Sequence, residues 1–168
     1  ISYIGGDGND VTLAAAFGNL TRSQADAAFD LFAATGAAPG SGTFSGPGVS
    51  GGTFTPGGAV GVNTITFTPN TGSPVTFNLT VTESLSLVVT TTSDTTSNTD
   101  GQTSLREAVA YANSGNAGAN PVITFNPTVF ATAQTILLTQ GELGLSRDVT
   151  ITGPGADRLT VRGDWNGS

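Results

Sequence analysis

Residues 103–113 read TSLREAVAYAN, and this stretch makes the clearest structural prediction in the chain. Ser104 and Glu107 have the spacing of a capping box, in which the serine hydroxyl and the glutamate carboxylate each bind a free amide at the start of a helix. The apolar residues that recur at helical spacing are Leu105, Ala108, Val109 and Ala112. Asn113-Ser114-Gly115 is typical of a helix end. The sequence therefore predicts a short helix over residues 105–113 with one apolar face.

Four short apolar runs follow the predicted helix. They are Val122–Phe125, Thr135–Leu138, Val149–Ile151 and Leu159–Val161. Gly, Pro or Asp separates these runs, and β-branched or large apolar residues fill them, so we predict four strands. Their spacing of about ten to fourteen residues suits the rungs of a parallel coil and hairpins equally.

The residues before the helix predict a strand and then a long loop. Leu85, Leu87 and Val89 alternate as residues on one face of a strand do. None of the fourteen residues from Thr90 to Thr103 has a hydrocarbon side chain, and such a polar stretch predicts a loop.

The first half of the chain has a different composition, with no Asp, Glu, Lys or Arg between residues 31 and 82. β-Branched residues and Phe fill four predicted strands, which are Thr43–Phe44, Gly52–Thr55, Asn63–Thr68 and Val75–Thr82. We predict two short sheets packed on one core. The expected core residues are Phe44, Phe54, Ile65, Phe67, Phe77 and Val81.

Residues 23–35 fit two structures. Helical spacing is seen for Ala25, Ala28, Phe29 and Phe32. Ser23 is a suitable N-cap for that helix and Gly36 a suitable stop. The alternation from Phe29 to Ala33 indicates a strand instead.

The stretch Leu31–Thr68, LFAATGAAPGSGTFSGPGVSGGTFTPGGAVGVNTITFT, resembles the immunoglobulin-like repeats of bacterial adhesins. Those repeats share a GTFSGPGV turn, a second TF-x-P and a following strand of the type seen here as GVNTITF. The resemblance implies an immunoglobulin-like β-sandwich. It also favours a strand, and not a helix, at Phe29–Ala33.

The N-terminal segment ISYIGGDGNDVTL has two short apolar runs around a glycine-rich turn, as a hairpin does. The apolar residues concerned are Ile1, Tyr3, Val11 and Leu13. The segment resembles the closing strands of autotransporter-associated β-strand repeats. We expect it to act as a donor strand that completes the sheet of an identical subunit. Its turn also resembles the start of a calcium-binding β-roll repeat, but a single copy supplies only half a site, so a plain turn is favoured.

The stretches TSLREAVAYAN and ITFNPTVFATAQTILLTQGELGLSRDVTITGPGADRLTVRGD resemble the start of bacterial right-handed parallel β-helix surface proteins with a CSLREA signature, and the resemblance covers residues 87–165. Thr103 stands where that family has its cysteine, so no thiol role is carried over. The resemblance implies a helix that closes the open end of a coil. The corresponding residues are Ser104, Leu105, Glu107, Val109 and Ala112.

The predicted fold class is therefore all-β: an immunoglobulin-like β-sandwich followed by the start of a parallel β-helix or β-roll with one short capping helix. The predicted domains are a terminal hairpin over residues 1–20, the sandwich over 21–83 and the β-helix-like domain over 84–168. We expect the chain to be a processed subunit or an excised piece of a longer protein.

Composition excludes several classes of function. Without Cys, His or Lys, the chain has no disulfide, thiol nucleophile, Ser/His pair or lysine Schiff base, and no zinc site of the usual ligands. A net charge of −7 with five scattered arginines argues against nucleic acid and anionic membranes as partners. The longest apolar run is too short to insert into a membrane. We expect no cofactor.

Carboxylates are the remaining candidates for chemistry. Glu142, Asp148, Asp157 and Asp164 are spread over successive predicted turns, with Arg147 and Arg158 nearby. Polysaccharide-degrading β-helix enzymes need two carboxylates that face one groove. We expect these residues to be solvated turn charges instead. Arg162-Gly163-Asp164 spells an integrin-binding tripeptide after a predicted strand, where chance occurrence is the favoured explanation.

The expected function is structural. The chain would be a subunit or module of an extracellular bacterial surface protein or fibre, with identical subunits or flanking modules of the same chain as partners. An adhesive or carbohydrate-binding module is the second expectation, although Tyr3, Tyr111 and Trp165 offer few aromatic surfaces for sugars. A polysaccharide-degrading enzyme ranks last, and we expect no catalytic activity.

Overall fold

The computed structural model of the chain describes residues 17–164, which fall into two compact units that divide after Thr82. Most regular elements in both units are strands, so the all-β class is confirmed. The first unit contains β1 (Leu20–Ser23), β2 (Phe29–Asp30), α1 (Leu31–Thr35), β3 (Gly42–Ser45), β4 (Val49–Ser50), β5 (Thr53–Phe54), a 3-10 turn (Pro56–Gly58), β6 (Gly61–Pro69) and β7 (Val75–Thr82). The second contains β8 (Val88–Val89), α2 (Leu105–Asn113), β9 (Val122–Phe125), β10 (Gln134–Leu138), β11 (Thr150–Ile151) and β12 (Leu159–Gly163).

The strands of the first unit form two sheets. One has four strands in the order β1-β7-β6-β3, and the other has three in the order β2-β5-β4. The pairing of β1 with β7 is parallel, and the remaining pairs in these sheets are antiparallel. The longest ladder joins β6 to β7, from Gly61 opposite Val81 to Phe67 opposite Val75.

Both sheets of the first unit contribute side chains to one core. All six of the predicted core residues are buried: Phe44, Phe54, Ile65, Phe67, Phe77 and Val81. Aromatic rings dominate this core, and the centroids of Phe44 and Phe67 are 4.7 Å apart. Asn63 is a buried polar residue within β6, and its amide is satisfied because it donates to the carbonyl of Ala59 at 2.6 Å.

The strand prediction for Phe29–Ala33 is correct only at Phe29 and Asp30. The next five residues form α1, because the Asp30 carboxylate accepts a hydrogen bond from the amide of Phe32 at 2.8 Å and caps a helix start. Ser23 is not the cap, since it lies in β1. Gly36 ends α1 with a φ of 76°, as the helical alternative proposed.

In the second unit, every strand pair that the structure describes is parallel. β9 pairs with β8 on one side and with β11 on the other, and β10 pairs with β12. Within residues 83–164 the strands therefore pair in parallel, as the first of the two predicted arrangements requires, and no described pair forms a hairpin. The strand predicted from the alternation over residues 85–89 is too long. The observed strand, β8, covers only Val88–Val89, and Leu85 is exposed.

The loop over residues 90–103 is held by its own short polar side chains. The hydroxyl of Thr91 accepts from the amide of Ser93, and that of Thr95 accepts from the amide of Ser97. Such bonds two residues apart are the reason that Ser and Thr favour turns over regular structure. The loop leads directly into α2 at Leu105.

Candidate functional site

Helix α2 packs on the core of the second unit. Leu105, Val109 and Ala112, the residues predicted to lie on its inner face, are buried together with Ala108. They belong to one cluster with Val89 of β8 and Ile123 of β9. The sequence predicted the bounds of this helix and its apolar face, and the structure places that face on the first parallel strands.

Both halves of the predicted capping box are present at the start of α2. The Ser104 hydroxyl oxygen accepts from the Glu107 amide at 3.1 Å, and the Glu107 carboxylate accepts from the Ser104 amide at 2.8 Å. The Ser104 hydroxyl also donates to the carbonyl of Thr95 at 2.7 Å, which links the helix start to the preceding loop. Ser104 is fully buried, so these bonds replace water completely.

Replacing Ser104 by alanine should lower the free energy of unfolding of the second unit by about 1 kcal/mol, because the Glu107 amide loses its cap. Thermal and urea unfolding of the two proteins measure this difference. Ser146→Ala, at an exposed serine of the same unit, should change it by less than about 0.5 kcal/mol. Equal stability of the Ser104→Ala protein and the wild type would show that the capping box does not contribute to the free energy of unfolding.

Arg106 and Asp94 form a buried ion pair that sequence analysis missed. The Arg106 guanidinium donates to both carboxylate oxygens of Asp94, at 2.7 and 3.0 Å, and the two side chains are only 14% and 1% exposed. The same carboxylate accepts from the amides of Thr139 and Gln140, at 2.7 and 2.8 Å. These bonds, led by those from Arg106, hold the pKa of Asp94 below its usual range.

This ion pair ties three separate segments together. Arg106 lies on α2, Asp94 in the preceding loop, and the bonded amides in the turn that follows β10. Arg106 also donates to the carbonyl of Gly141 at 2.8 Å. At the other end of the helix, the Asn113 side chain donates to the carbonyl of Gly144 at 2.8 Å and accepts from the Ser146 amide at 3.0 Å. Side chains at both ends of α2 are thus hydrogen-bonded to the segment that follows β10.

A pocket of about 270 Å³ lies beside the start of α2 and contains two carboxylates. Its lining includes Glu83, Leu85, Asn98, Glu107 and Tyr111. The Oε1 atom of Glu107 is buried there without a hydrogen-bond partner. Burial, together with the negative charges of Asp100 and Glu107, raises the pKa of Glu83 from 4.5 to about 7.

The raised pKa of Glu83 predicts a pH dependence of stability. Between pH 4.5 and about 7 the folded chain holds a proton on Glu83 that the unfolded chain has lost. The contribution of this group to stability is therefore greatest below pH 4.5, falls as the pH rises to about 7 and is level above it. Glu83→Gln should remove this fall, measured as the unfolding midpoint in urea at successive pH values. Glu142→Gln, at an exposed glutamate, should keep the wild-type profile; an unchanged profile in Glu83→Gln would refute the assignment.

Within residues 17–164, β11 and β12 each have one strand partner and one unpaired edge. Ile151 is in register with Ile123, so the two side chains share the inner face, yet Ile151 is 43% exposed and Ile123 is 0% exposed. In the same way Val161 is in register with Ile136, and their exposed fractions are 43% and 1%. The inner positions are covered in β9 and β10 and bare in β11 and β12, because no further described strand pairs with β11 or β12.

The other sequence motifs give no site within residues 17–164. The proposed assembly residues Ile1, Tyr3, Val11 and Leu13, and the glycine-rich turn between them, lie outside the described residues. The Arg162-Gly163-Asp164 tripeptide does not form a loop, because its first two residues lie in β12 and the Asp164 amide donates to the carbonyl of Leu138. No group of three or more acidic side chains in this part of the chain is arranged to hold a metal ion.

Comparisons with known proteins do not assign the chain to a family. Neither a protein-family model, nor a curated protein, nor a solved structure matches the chain. Of the helices in the described region, none has the length and apolar character needed to cross a membrane.

Proposed function

We propose that the chain is a structural subunit of an extracellular bacterial surface protein or fibre. In this proposal the first unit is an immunoglobulin-like sandwich, and the second is the capped beginning of a right-handed parallel β-helix. Its partners are identical subunits or flanking modules of the same chain. The role depends on shape and strand pairing, and no catalysis or cofactor is part of it.

The observation that carries the proposal is the difference between the two ends of the second unit. Helix α2 covers the core at one end, with Leu105 and Val109 buried on it. At the other end Ile151 and Val161 remain exposed on the inner face, and both strands have a free edge. A parallel stack closed at one end and open at the other is suited to growth by further strands, because each added strand satisfies free amides and carbonyls.

Sedimentation velocity and electron microscopy of the purified chain test this function. We expect concentration-dependent linear assemblies. Ile151→Glu should abolish them, because it places a charge on the bare inner face. Val122→Glu is the matched control, since Val122 lies on the outer face of the same sheet and is equally exposed, at 44%. A wild-type chain that stays monomeric at every concentration would contradict identical subunits as the partners and leave only flanking modules of the same chain.

The pocket beside α2 supports a second candidate, an adhesive or carbohydrate-binding module. Tyr111 offers an aromatic surface there, and Glu83 and Asn98 offer polar groups, which is the combination that sugar sites use. Binding of the monomer to defined glycans on an array, lost in Tyr111→Ala, would favour this function over the structural one.

A further inference from the structure

The pocket beside α2 has an apolar wall and an acidic end. Leu85, Ala110 and Tyr111 contribute to the apolar wall, and Glu83 and Glu107 contribute the carboxylates. All of its lining residues lie between positions 83 and 114, so the pocket belongs to the second unit by itself. Its volume of about 270 Å³ is just below the usual range of ligand pockets, roughly 300 to 1,000 Å³, and suits a ligand of a few heavy atoms.

The acidic end carries more negative charge than the surrounding residues neutralise. Burial and the charges of Asp100 and Glu107 raise the pKa of Glu83 to about 7, so these three carboxylates lie close enough to repel one another. None of the described residues that line the pocket is an arginine. Arg106 is next to Glu107 in α2, but its guanidinium is bound to Asp94. A cation in the pocket would therefore relieve the repulsion.

Glu107 has one acceptor left for such a cation. Its Oε2 atom accepts from the Ser104 amide at 2.8 Å. Its Oε1 atom is buried and has no hydrogen-bond partner among the described residues. A buried acceptor without a partner destabilises the fold, and a charged donor makes the strongest hydrogen bond to a carboxylate.

These groups favour a primary ammonium over other common cations. A guanidinium binds best to two carboxylate oxygens at once, whereas an ammonium is a compact point charge and suits the single free oxygen of Glu107. A bare metal ion needs several oxygen ligands, and within residues 17–164 no group of three acidic side chains is arranged to hold one. An alkyl chain behind the ammonium would lie on the apolar wall, where the Tyr111 ring also attracts a cation.

We propose that the pocket beside α2 binds a primary ammonium group on a short alkyl chain. The carboxylates of Glu83 and Glu107 surround the charge, and Leu85 and Tyr111 contact the chain. The 168 residues contain no lysine, so none of their side chains supplies this group. Its two sources are a free alkylamine and a lysine of a partner protein. This inference goes beyond the structural function, does not depend on it, and gives the pocket a different ligand from a neutral glycan.

Titration of the whole chain with pentylammonium chloride, followed by the NMR shifts of its amides, tests the site. The shifts should concentrate in residues 83–86 and 107–114. Pentylammonium should bind about tenfold or more tightly than the uncharged n-pentanol, because only the ammonium donates charged hydrogen bonds. A lysine blocked at both its α-amino and carboxyl groups is the second ligand. Its binding would identify a protein lysine as the source, and binding of pentylammonium alone would identify a free amine.

Charge-neutral variants test the two carboxylates. Glu83→Gln and Glu107→Gln should each weaken pentylammonium binding about tenfold, because each removes a charge beside the ammonium. Glutamine also serves in a capping box, so Glu107→Gln keeps the start of α2. Glu142→Gln makes the same change at an exposed glutamate outside the pocket and should bind as the wild type does.

The binding should also depend on pH. The titratable groups described around the site are Glu83, Asp100 in the preceding loop, and Glu107 and Tyr111 on α2. Glu83 holds a proton below about pH 7, and the ammonium must displace it. Binding at about pH 5.5 should therefore be severalfold weaker than at about pH 8, and Glu83→Gln should reduce this difference.

Three results would overturn this inference. Equal binding of n-pentanol and pentylammonium would show that the carboxylates take no part. Binding that neither glutamine variant weakens would place the amine elsewhere on the acidic surface. Amides that do not shift with millimolar pentylammonium, whether or not calcium or a neutral glycan shifts them, would remove the ammonium as the ligand. None of these results bears on assembly, so this inference and the structural function can fail separately.

Discussion

Leu105→Asp should unfold the second unit and leave the first one folded. Leu105 is almost fully buried where α2 meets the parallel strands, in a core that includes Val89, Ile123 and Ile136. The substitution removes a buried leucine and introduces a carboxylate among apolar side chains, a combined cost of more than about 5 kcal/mol. That is comparable to the whole stability of a small domain, about 5 to 15 kcal/mol.

Hydrogen exchange read by mass spectrometry follows the two units of this variant separately. Amides in residues 83–164 should lose their protection, while those in residues 17–82 should keep it. Leu145→Asp makes the same change at an exposed leucine of the second unit and should leave protection intact. Wild-type melting of Leu105→Asp would mean that α2 does not dock on the strands, and the comparison with a capped β-helix would fail.

Asp94→Ala should lower the free energy of unfolding of the second unit by about 3 to 5 kcal/mol. The change leaves the partly buried Arg106 guanidinium without its counter-ion and removes the acceptor of the Thr139 and Gln140 amides. Urea unfolding at neutral pH measures the loss. Asp157→Ala is the control, because Asp157 is 80% exposed and 3.8 Å from Arg158. An exposed pair of this kind contributes about 0 to 1 kcal/mol.

The sign of the pH dependence of this ion pair is opposite to that of Glu83. The folded-state pKa of Asp94 is lowered, so its stabilisation is present above the pKa of the unfolded chain and is lost as the pH falls through the folded-state value. Asp94→Ala should therefore differ from the wild type at neutral pH and approach it in strong acid. A constant difference at all pH values would show that the lost packing of Asp94, and not its charge, accounts for the effect.

Sequence alone determined those elements whose cause is local. The bounds of α2 follow from a capping box, whose partners are three residues apart, and from an apolar face repeated over two turns. The strands β9 and β10 lie where apolar runs are bounded by Gly, Pro or Asp. The core of the first unit could be predicted for the same reason, because alternation fixes which side chains of β6 and β7 face inward.

Only the tertiary structure decided the features that depend on distant partners. Parallel and antiparallel pairing leave the same alternation in the sequence, so the choice between rungs and hairpins depended on β9 meeting β11, and β10 meeting β12. Asp94 gave no signal in its polar loop, because Arg106 and the turn after β10 approach it only in the folded chain. Phe29–Ala33 alternates as a strand does, but only Phe29 and Asp30 find a partner strand, opposite Phe54 and Thr53 of β5, and α1 begins at the next residue. In each of these cases a contact formed on folding outweighs the local preference, and the sequence pattern alone does not reveal that contact.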